Sequence, residues 1–490
     1  MNGLILSTPT KLRLNFPDEV IDSVRKHLTF RDSAAQFAYT RFKNNRWYAN
    51  QHGPEAFQEE LNRLKALIVV ELIFEDDQGL YTYSGLRDYL RPFLGETRND
   101  VSYPESKPLA YMGTSQKMRP YQEVAVEALM MARHGAIESA TGTGKTRCIQ
   151  ELIKRHGLRS VVVTPSTSIA RQIYKNFKNI FGVKKVGLFG DGRHDLGKQI
   201  TVGIAASLTR VEPRTEVAKF FAGVEVLIFD ESHTIPSETF KKVCLGVLES
   251  APYRYFVSAT QIRNDGKDRL LAALTGPIVF DYPLVRAVNE GFLSKPNFYI
   301  HRVSTDTNFY SDDTLEMMRA HIYNNKILHA IAADLANKFV SLCGHQVLIL
   351  IENITQFSLL IPHLKHETRF VHGGLTAKNK DSVDSRFHKA DVETSVDDFN
   401  ANKFPILVGT SCVGVGTDFK GVNTIIYLQG GKSEIKVSQA VGRGTRMVDG
   451  KFEFNFVDFD VDVDCPALRK QVMVRKKIYD SLYRGAIYDV

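Results

Sequence analysis

Ser139-Ala140-Thr141-Gly142-Thr143-Gly144-Lys145-Thr146 is the stretch on which the reading of the fold turns. A loop that wraps a phosphate needs backbone N–H groups turned inward, and glycines where a side chain would clash. It also needs a lysine for the outer phosphates and a hydroxyl for a magnesium ion. Gly144, Lys145 and Thr146 supply these, and Thr141, Gly142 and Thr143 complete the cradle. The residues that follow, RCIQELIKRHG, form a helix whose N-terminus would face the anion. Ser139 stands where the consensus opens with glycine, so the loop departs from the pattern at that end. A Gly-rich turn that happens to precede a helix is the competing reading, and other segments must decide.

The next decisive segment lies downstream. Val226-Leu227-Ile228-Phe229 is a buried-strand run that ends in Asp230-Glu231-Ser232-His233. Strand ends are where α/β sheets present their ligands. Asp230 is placed to hold magnesium through its water shell, with Thr146 as the other metal residue, and Glu231 is the candidate general base for water. Taken alone, these four residues could equally open a polar helix. Together with the upstream loop they favour a magnesium–nucleotide site.

Working outward, apolar runs alternate with helical stretches over residues 118–282. SVVVTP, QITVGIA, VEVLIFD and YRYFVSAT read as buried strands, the pattern of a parallel sheet with crossover helices. The pattern returns over 283–460 with HQVLILI, TRFVHG, FPILVGT, NTIIYLQ and FEFNFVDF. The spacing therefore predicts two successive α/β domains. Ahead of them, residues 1–100 read as a small α+β domain. Leu12, Leu14 and Phe16 alternate with polar residues as in a half-buried strand, and helices open at Pro17 and near Pro54. Residues 101–117, within a polar stretch holding Pro104, Pro108 and Gly113, read as a linker not coupled to either core. Residues 461–490, with LRKQVMVRKKIYDSLYRG, read as a basic helical extension with a solvated amphipathic face.

Composition sets the outer bounds. At about 150 residues per domain, a chain of 490 residues holds about three domains. Apolar residues at 43% and charged residues at 24% exclude a mostly disordered or fibrous chain. The net charge of +8 suits a polyanionic partner without requiring one. No stretch reaches the roughly 20 apolar residues of a membrane span, and MNGLILSTPTKLRLNF lacks the features of a signal peptide. The five cysteines form no C-x-x-C pair, so neither a zinc site nor a disulfide framework is expected. The expected protein is soluble, cytoplasmic and reduced, and has no membrane partner.

In order along the chain, the motifs resemble those of superfamily 2 helicases and translocases. That resemblance implies two RecA-like domains with ATP and Mg2+ in the cleft between them. Arg119-Pro120-Tyr121-Gln122 resembles the adenine-recognising segment. Gln122 carries both a donor and an acceptor for the base edge, and Arg119 would support it. Thr164-Pro165-Ser166-Thr167-Ser168-Ile169-Ala170-Arg171-Gln172 resembles the family's P-T-x-x-L-x-x-Q motif, which implies strand contacts from Pro165 and Gln172. Ser166 and Ile169 depart from that pattern. Val202–Leu208, with Ser207, sits where another strand-contact motif belongs. Ser258-Ala259-Thr260 matches the motif that links nucleotide state to domain motion. Thr410-Ser411 and Gly414-Val415-Gly416-Thr417-Asp418 resemble the fifth motif. Thr410 and Ser411 would meet phosphates of the strand, and Gly416 and Asp418 would lie near the nucleotide. Gln439-Ala440-Val441-Gly442-Arg443-Gly444-Thr445-Arg446 matches Q-x-x-G-R-x-x-R, which implies catalytic roles for Gln439, Arg443 and Arg446. Two arginines three apart would share one helix face and reach the outer phosphate.

Within the superfamily, DESH, R-P-Y-Q and the stretch Gln36–Trp47 are most similar to phage branch-migration helicases of the UvsW type. In that N-terminal stretch Arg41, Lys43 and Arg46 interleave with Tyr39, Phe42, Trp47 and Tyr48. Such cations can neutralise phosphates while the rings stack on bases. Alternatively the rings form a small core with the cations outside, and on a strand both could hold. Trp47 is either a core anchor or a wedge. The expected activity is an ATP-dependent DNA helicase acting on single strands, forks and four-way junctions, with the 3′-to-5′ polarity that the resemblance implies, as a monomer alongside other replication or recombination proteins. The rivals are an RNA helicase, a duplex-translocating motor subunit, and a binding protein that uses ATP only as a conformational ligand.

Overall fold

The computed structural model describes residues 3–93, 96–113, 117–234, 237–259, 268–375, 383–388, 391–410, 419–448 and 450–490. Two compact units emerge. One comprises residues 1–138 and 145–281, and the other residues 139–144 and 282–490.

The first unit carries an eight-stranded sheet. Its spatial order is 193–194, 186–190, 200–204, 160–164, 226–230, 253–258, 134–139 and 278–282. The pairs from 186–190 through to 134–139 are parallel. Ser160–Thr164 and Val226–Asp230 are buried at every position, because crossover helices cover both faces of a parallel sheet and leave no polar side to alternate with. Two of those helices bear on the site. Pro120–Ala132 opens on a proline whose missing N–H costs nothing there. Thr167–Phe181 is capped by Ser166, whose side chain accepts from Ile169 N.

The same unit includes an N-terminal sheet of five strands in the order 74–76, 79–83, 11–15, 3–6 and 96–99. Leu4, Leu12, Leu14, Ile21, Val24 and Leu28 are buried in it and in the helix Asp18–Leu28. This block is not separable from the larger sheet. Their buried residues form one continuous apolar cluster. Thr10 Oγ1 donates to Glu249 at 3.1 Å, and Ser84 hydrogen-bonds His134. Residues of the expected linker are also tied down. Lys107 N donates to His156 O at 2.7 Å, Leu109 N to Lys154 O at 2.8 Å, and Met112 N to Ile180 O at 2.8 Å. Gly157, at φ +60, has no room for a Cβ because Lys107 O lies against it.

The stretch of alternating cations and rings is helical, not extended. Ser33–Lys43 and Arg46–Ala66 pack as a hairpin, and neither helix has a buried residue. Asp32 caps the first helix by accepting from Ala34 N and Ala35 N. The second bends at Gly53 and Pro54. Phe42 stacks on Phe57 and meets Tyr48 edge-on. Trp47 is 64% exposed and Phe37 69% exposed, so Trp47 is not a core anchor.

The second unit holds a seven-stranded sheet in the order 368–371, 406–409, 347–351, 424–428, 453–462, 295–304 and 487–489. All six pairings are parallel. Residues 461–490 belong to this sheet. Ile487–Asp489 pairs with 298–300, and the helix Pro466–Leu482 buries Arg475 against Asp458 at 2.7 Å. The basic helix therefore has one cation in the core, held by a fork-shaped pairing and by Tyr479, whose hydroxyl donates to Asp458. Among the described residues, no helix is long and apolar enough to cross a membrane.

Candidate nucleotide site and nucleic-acid contacts

The strand Val226–Asp230 ends with Asp230 buried. Glu231 follows at φ +52, a left-handed conformation that a non-glycine residue adopts only when its surroundings hold it there. Its N–H donates to Val257 O at 2.9 Å, which fixes this turn to the neighbouring strand. Lys145, the first residue of the helix Lys145–His156, lies with Nζ 3.3 Å from Glu231 Oε1, and both side chains are largely buried. His233 Nδ1 is hydrogen-bonded to Ser258 Oγ and lies 3.5 Å from Glu231 Oε2. Thus the carboxylates, the loop lysine and the first residue of the S-A-T motif share one end of one sheet. Thr260 lies outside the described residues.

These neighbours drive the two carboxyls apart. Burial, then the charge of Glu231, raises Asp230 against the pull of Lys145. Burial would also raise Glu231, but Lys145 and His233 outweigh it and hold Glu231 below its ordinary value. A pair pushed in opposite directions is a hallmark of divided acid–base duties. The ionised Glu231 can take a proton from water. Asp230, costly as a lone anion, is suited to a divalent cation whose charge would restore the ionised form.

In the loop itself, Gly142 and Gly144 have φ +93 and +82. A Cβ on Gly142 would meet Thr445 Oγ1 at 2.8 Å and Leu293 Cδ2 at 3.1 Å. Thr143 Oγ1 donates to Ala140 O at 2.7 Å and lies 2.6 Å from Ser139 Oγ. Ser139, which departs from the consensus, is thus built into the loop by its hydroxyl. Thr141 and Gly142 are half-buried, as is Thr146 at the second position of the helix. The buried lysine and the two carboxyls at the sheet end are a donor set that fits the phosphates and magnesium ion of a nucleoside triphosphate. Gln122 is buried, and its Oε1 accepts from Arg119 N at 2.9 Å, so the amide is oriented by its own helix cap. Arg119 Nη1 donates to Tyr121 OH.

The arginine motif differs from the expected geometry. Its helix runs Glu434–Gly442 and includes Gln439. Arg443 is the buried C-cap residue, and Arg446 is exposed in a β-bridge with Leu293. The two arginines therefore do not share a helix face; the chain leaves the helix between them. Thr445, fully buried, donates from Oγ1 to Gly442 O at 2.8 Å and to Thr141 O at 3.2 Å. Nothing in the residue pattern singled out Thr445, and only packing reveals it.

Two family models match the chain: "Type III restriction enzyme, res subunit" over residues 115–263 and "Helicase conserved C-terminal domain" over residues 332–448. The chain belongs to the superfamily 2 helicases. It is 31% identical over 206 residues to the DNA 3'-5' translocase XPB2 of Sulfurisphaera tokodaii, covering 41% of this chain and 45% of that protein. The match therefore spans under half of this relative's length. A protein of Acanthamoeba polyphaga mimivirus, provisionally named an ATP-dependent RNA helicase, is 23% identical over 413 residues, covering 82% of this chain and 74% of the other. Among solved structures, a fragment assigned to the HsdR subunit of a Vibrio vulnificus type I restriction enzyme superposes with a TM-score of 0.54 at 17% identity, over 77% of this chain and 69% of that one. The fold is that of tandem RecA-like helicase domains, and ATP is the nucleotide that such helicase domains imply.

The candidate nucleic-acid residues are scattered in setting. Gln172 is exposed on the helix Thr167–Phe181, Pro165 is half-buried just after the strand Ser160–Thr164, and Ser207 is half-buried in the short helix Ala205–Leu208 that follows the adjacent parallel strand Ile200–Ile204. Thr410 is buried beyond the strand Ile406–Gly409, with its N–H donating to Val371 O. Arg41 and Arg46 are exposed on the helical hairpin beside Trp47. Ser411, Gly416 and Asp418 lie outside the described residues.

Proposed function

We propose that the chain is an ATP-driven DNA translocase of the UvsW type, working 3′-to-5′ to unwind or branch-migrate forks and four-way junctions in replication, recombination or repair. The observation that carries the reading is the cluster of Lys145, Asp230 and Glu231 at one sheet end, backed by His233 and Ser258. Lys145 meets the outer phosphates. Thr146 and Asp230 would hold a magnesium ion, which would supply neutralising charge at the phosphates. Glu231 orients water and accepts its proton as the terminal phosphate departs. Gln439, Arg443 and Arg446 serve hydrolysis of the same nucleotide, the arginines stabilising charge on the phosphoryl group. Pro165, Gln172, Ser207, Thr410 and Ser411 grip the tracking strand, and Arg41, Arg46 and Trp47 engage the branch.

DNA is supported by the archaeal relative, which is a DNA 3'-5' translocase, and by the net positive charge. An RNA substrate is the second reading, favoured by the viral relative. RNA specificity would rest on contacts to the 2′-hydroxyl. The test is ATP-dependent dissociation of a labelled four-way junction, a fork and an RNA duplex by wild type, with Glu231→Gln as control. Processing of the DNA substrates by wild type alone supports the reading, whereas dissociation of only the RNA duplex overturns it.

A further inference from the structure

After the helix Glu434–Gly442 the chain enters an irregular segment that carries Arg443 and Arg446. Among the described residues its strand pairing is the single bridge of Arg446 to Leu293. A segment with so little ladder must be ordered by its other polar contacts. Three consecutive carbonyls show how. Gly444 O accepts from Lys451 Nζ at 2.5 Å. Thr445 O accepts from Ser294 N at 2.7 Å. Arg446 O accepts from Lys451 Nζ at 3.0 Å and lies 3.2 Å from Ser294 Oγ. Gly444 also lies against the ring of Phe454, leaving no space for a Cβ.

Lysine normally carries its ammonium out to water along its apolar stem. Lys451 does the reverse and is only 5% exposed. Burial pushes its ammonium down to about 7, so placing a lysine here has a cost that a Met or Leu would avoid. What a Met or Leu could not do is donate to two carbonyls that flank Thr445. Lys451 Nζ carries three N–H donors when charged and two when neutral, so it can serve both at once in either state.

We propose that Lys451 is a positioning residue for hydrolysis, and that with Ser294 it fixes the backbone from which Arg443 and Arg446 project. The proposal rests on the reading that those arginines serve ATP hydrolysis. Lys451 need not touch the nucleotide. It acts by setting the Arg443–Arg446 backbone, and a displacement of about 1 Å in a catalytic group costs about a hundredfold in rate.

The test is steady-state ATP turnover by the full chain carrying Lys451→Met, Arg446→Ala, or both, with thermal melting and circular dichroism as folding controls. The expected result is a kcat for Lys451→Met lowered by about ten- to a hundredfold with KM for ATP nearly unchanged, the signature of an interaction lost in the transition state. In the Arg446→Ala background, Lys451→Met should cost less than about twofold more, because the group it positions is gone. If Lys451→Met does not fold, Ser294→Ala replaces it. That variant keeps the backbone N–H bond and loses the hydroxyl, and should show a smaller kcat loss with the same dependence on Arg446. Wild-type turnover by Lys451→Met, or an equal cost in both backgrounds, overturns the positioning role while leaving the arginine reading intact. Unchanged turnover in both Arg446→Ala and Arg443→Ala overturns the arginine reading, and the role of Lys451 with it.

Discussion

The phosphate-loop cluster and the helical hairpin of residues 33–66 use charge in opposite ways. At the sheet end, Lys145, Asp230, Glu231 and His233 are withdrawn from solvent and set against one another within a few ångströms. Lys145 and His233 hold Glu231 down and Glu231 pushes Asp230 up, so removing one changes the others. On the hairpin, Arg41, Lys43 and Arg46 are exposed, and no residue of either helix is buried. There a charge acts chiefly on whatever approaches from solution and is screened by salt. The first arrangement is suited to chemistry and the second to recruitment, and substitutions in the two places should fail in different ways.

The largest effects belong to the buried cluster. Glu231→Gln keeps shape and hydrogen bonding but removes the proton acceptor. It should lower ATP turnover by about a thousandfold while ATP still binds, as read by equilibrium binding of a fluorescent analogue. Loss of binding would make Glu231 structural. Lys145→Ala should lower turnover by about a hundredfold or more and weaken ATP binding as well, which the same two measurements separate from the Glu231 effect. Turnover near wild type would sink the assignment of the loop.

Smaller effects belong to the hairpin. Arg41→Ala with Arg46→Ala should leave single-strand-stimulated ATP turnover unchanged and weaken junction binding. The slope of log affinity against log salt should fall by about 1.8 for two phosphate contacts. A slope equal to wild type would mean that these cations do not meet phosphate. Point substitutions are the proper probe here. Excising residues 1–100 would strip apolar surface from a cluster shared with the first motor sheet.

The last prediction concerns stability, at Lys451. Burial lowers its pKa from 10.5 to about 7, so between those values the unfolded chain binds a proton that the folded chain does not. Stability should therefore rise with pH through that window relative to Lys451→Met. Parallel unfolding curves for the two proteins at pH 7 and pH 10 would show the lysine to be ionised when folded.

What could be read in advance follows the same division. VEVLIFD and SVVVTP were legible because a strand buried on both faces is apolar throughout. The loop was legible because its glycines and lysine are dictated by the phosphate rather than by the rest of the fold. The hairpin was not, because rings interleaved with cations suit a strand or a helix, and only the packing of Phe42 on Phe57 distinguishes them. The stretch from Lys107 to Met112 looked uncoupled because it is polar, yet its backbone N–H groups bond the first motor sheet's helices. Backbone bonds leave no mark in composition. Arg475 lies in a stretch that reads as a solvated basic face, and its burial depends on Asp458, a partner in the strand Glu453–Asp462 that no local spacing reveals.

The central claim, that this nucleotide site is geared to branched DNA, is tested most directly by ATP turnover in the presence of single-stranded DNA, plain duplex, a four-way junction or single-stranded RNA, at equal nucleotide concentration. The account predicts strong stimulation by single-stranded DNA and by the junction, little by plain duplex or RNA, and loss of the junction's advantage in the Arg41→Ala, Arg46→Ala protein. Stimulation by RNA that exceeds stimulation by every DNA would contradict it.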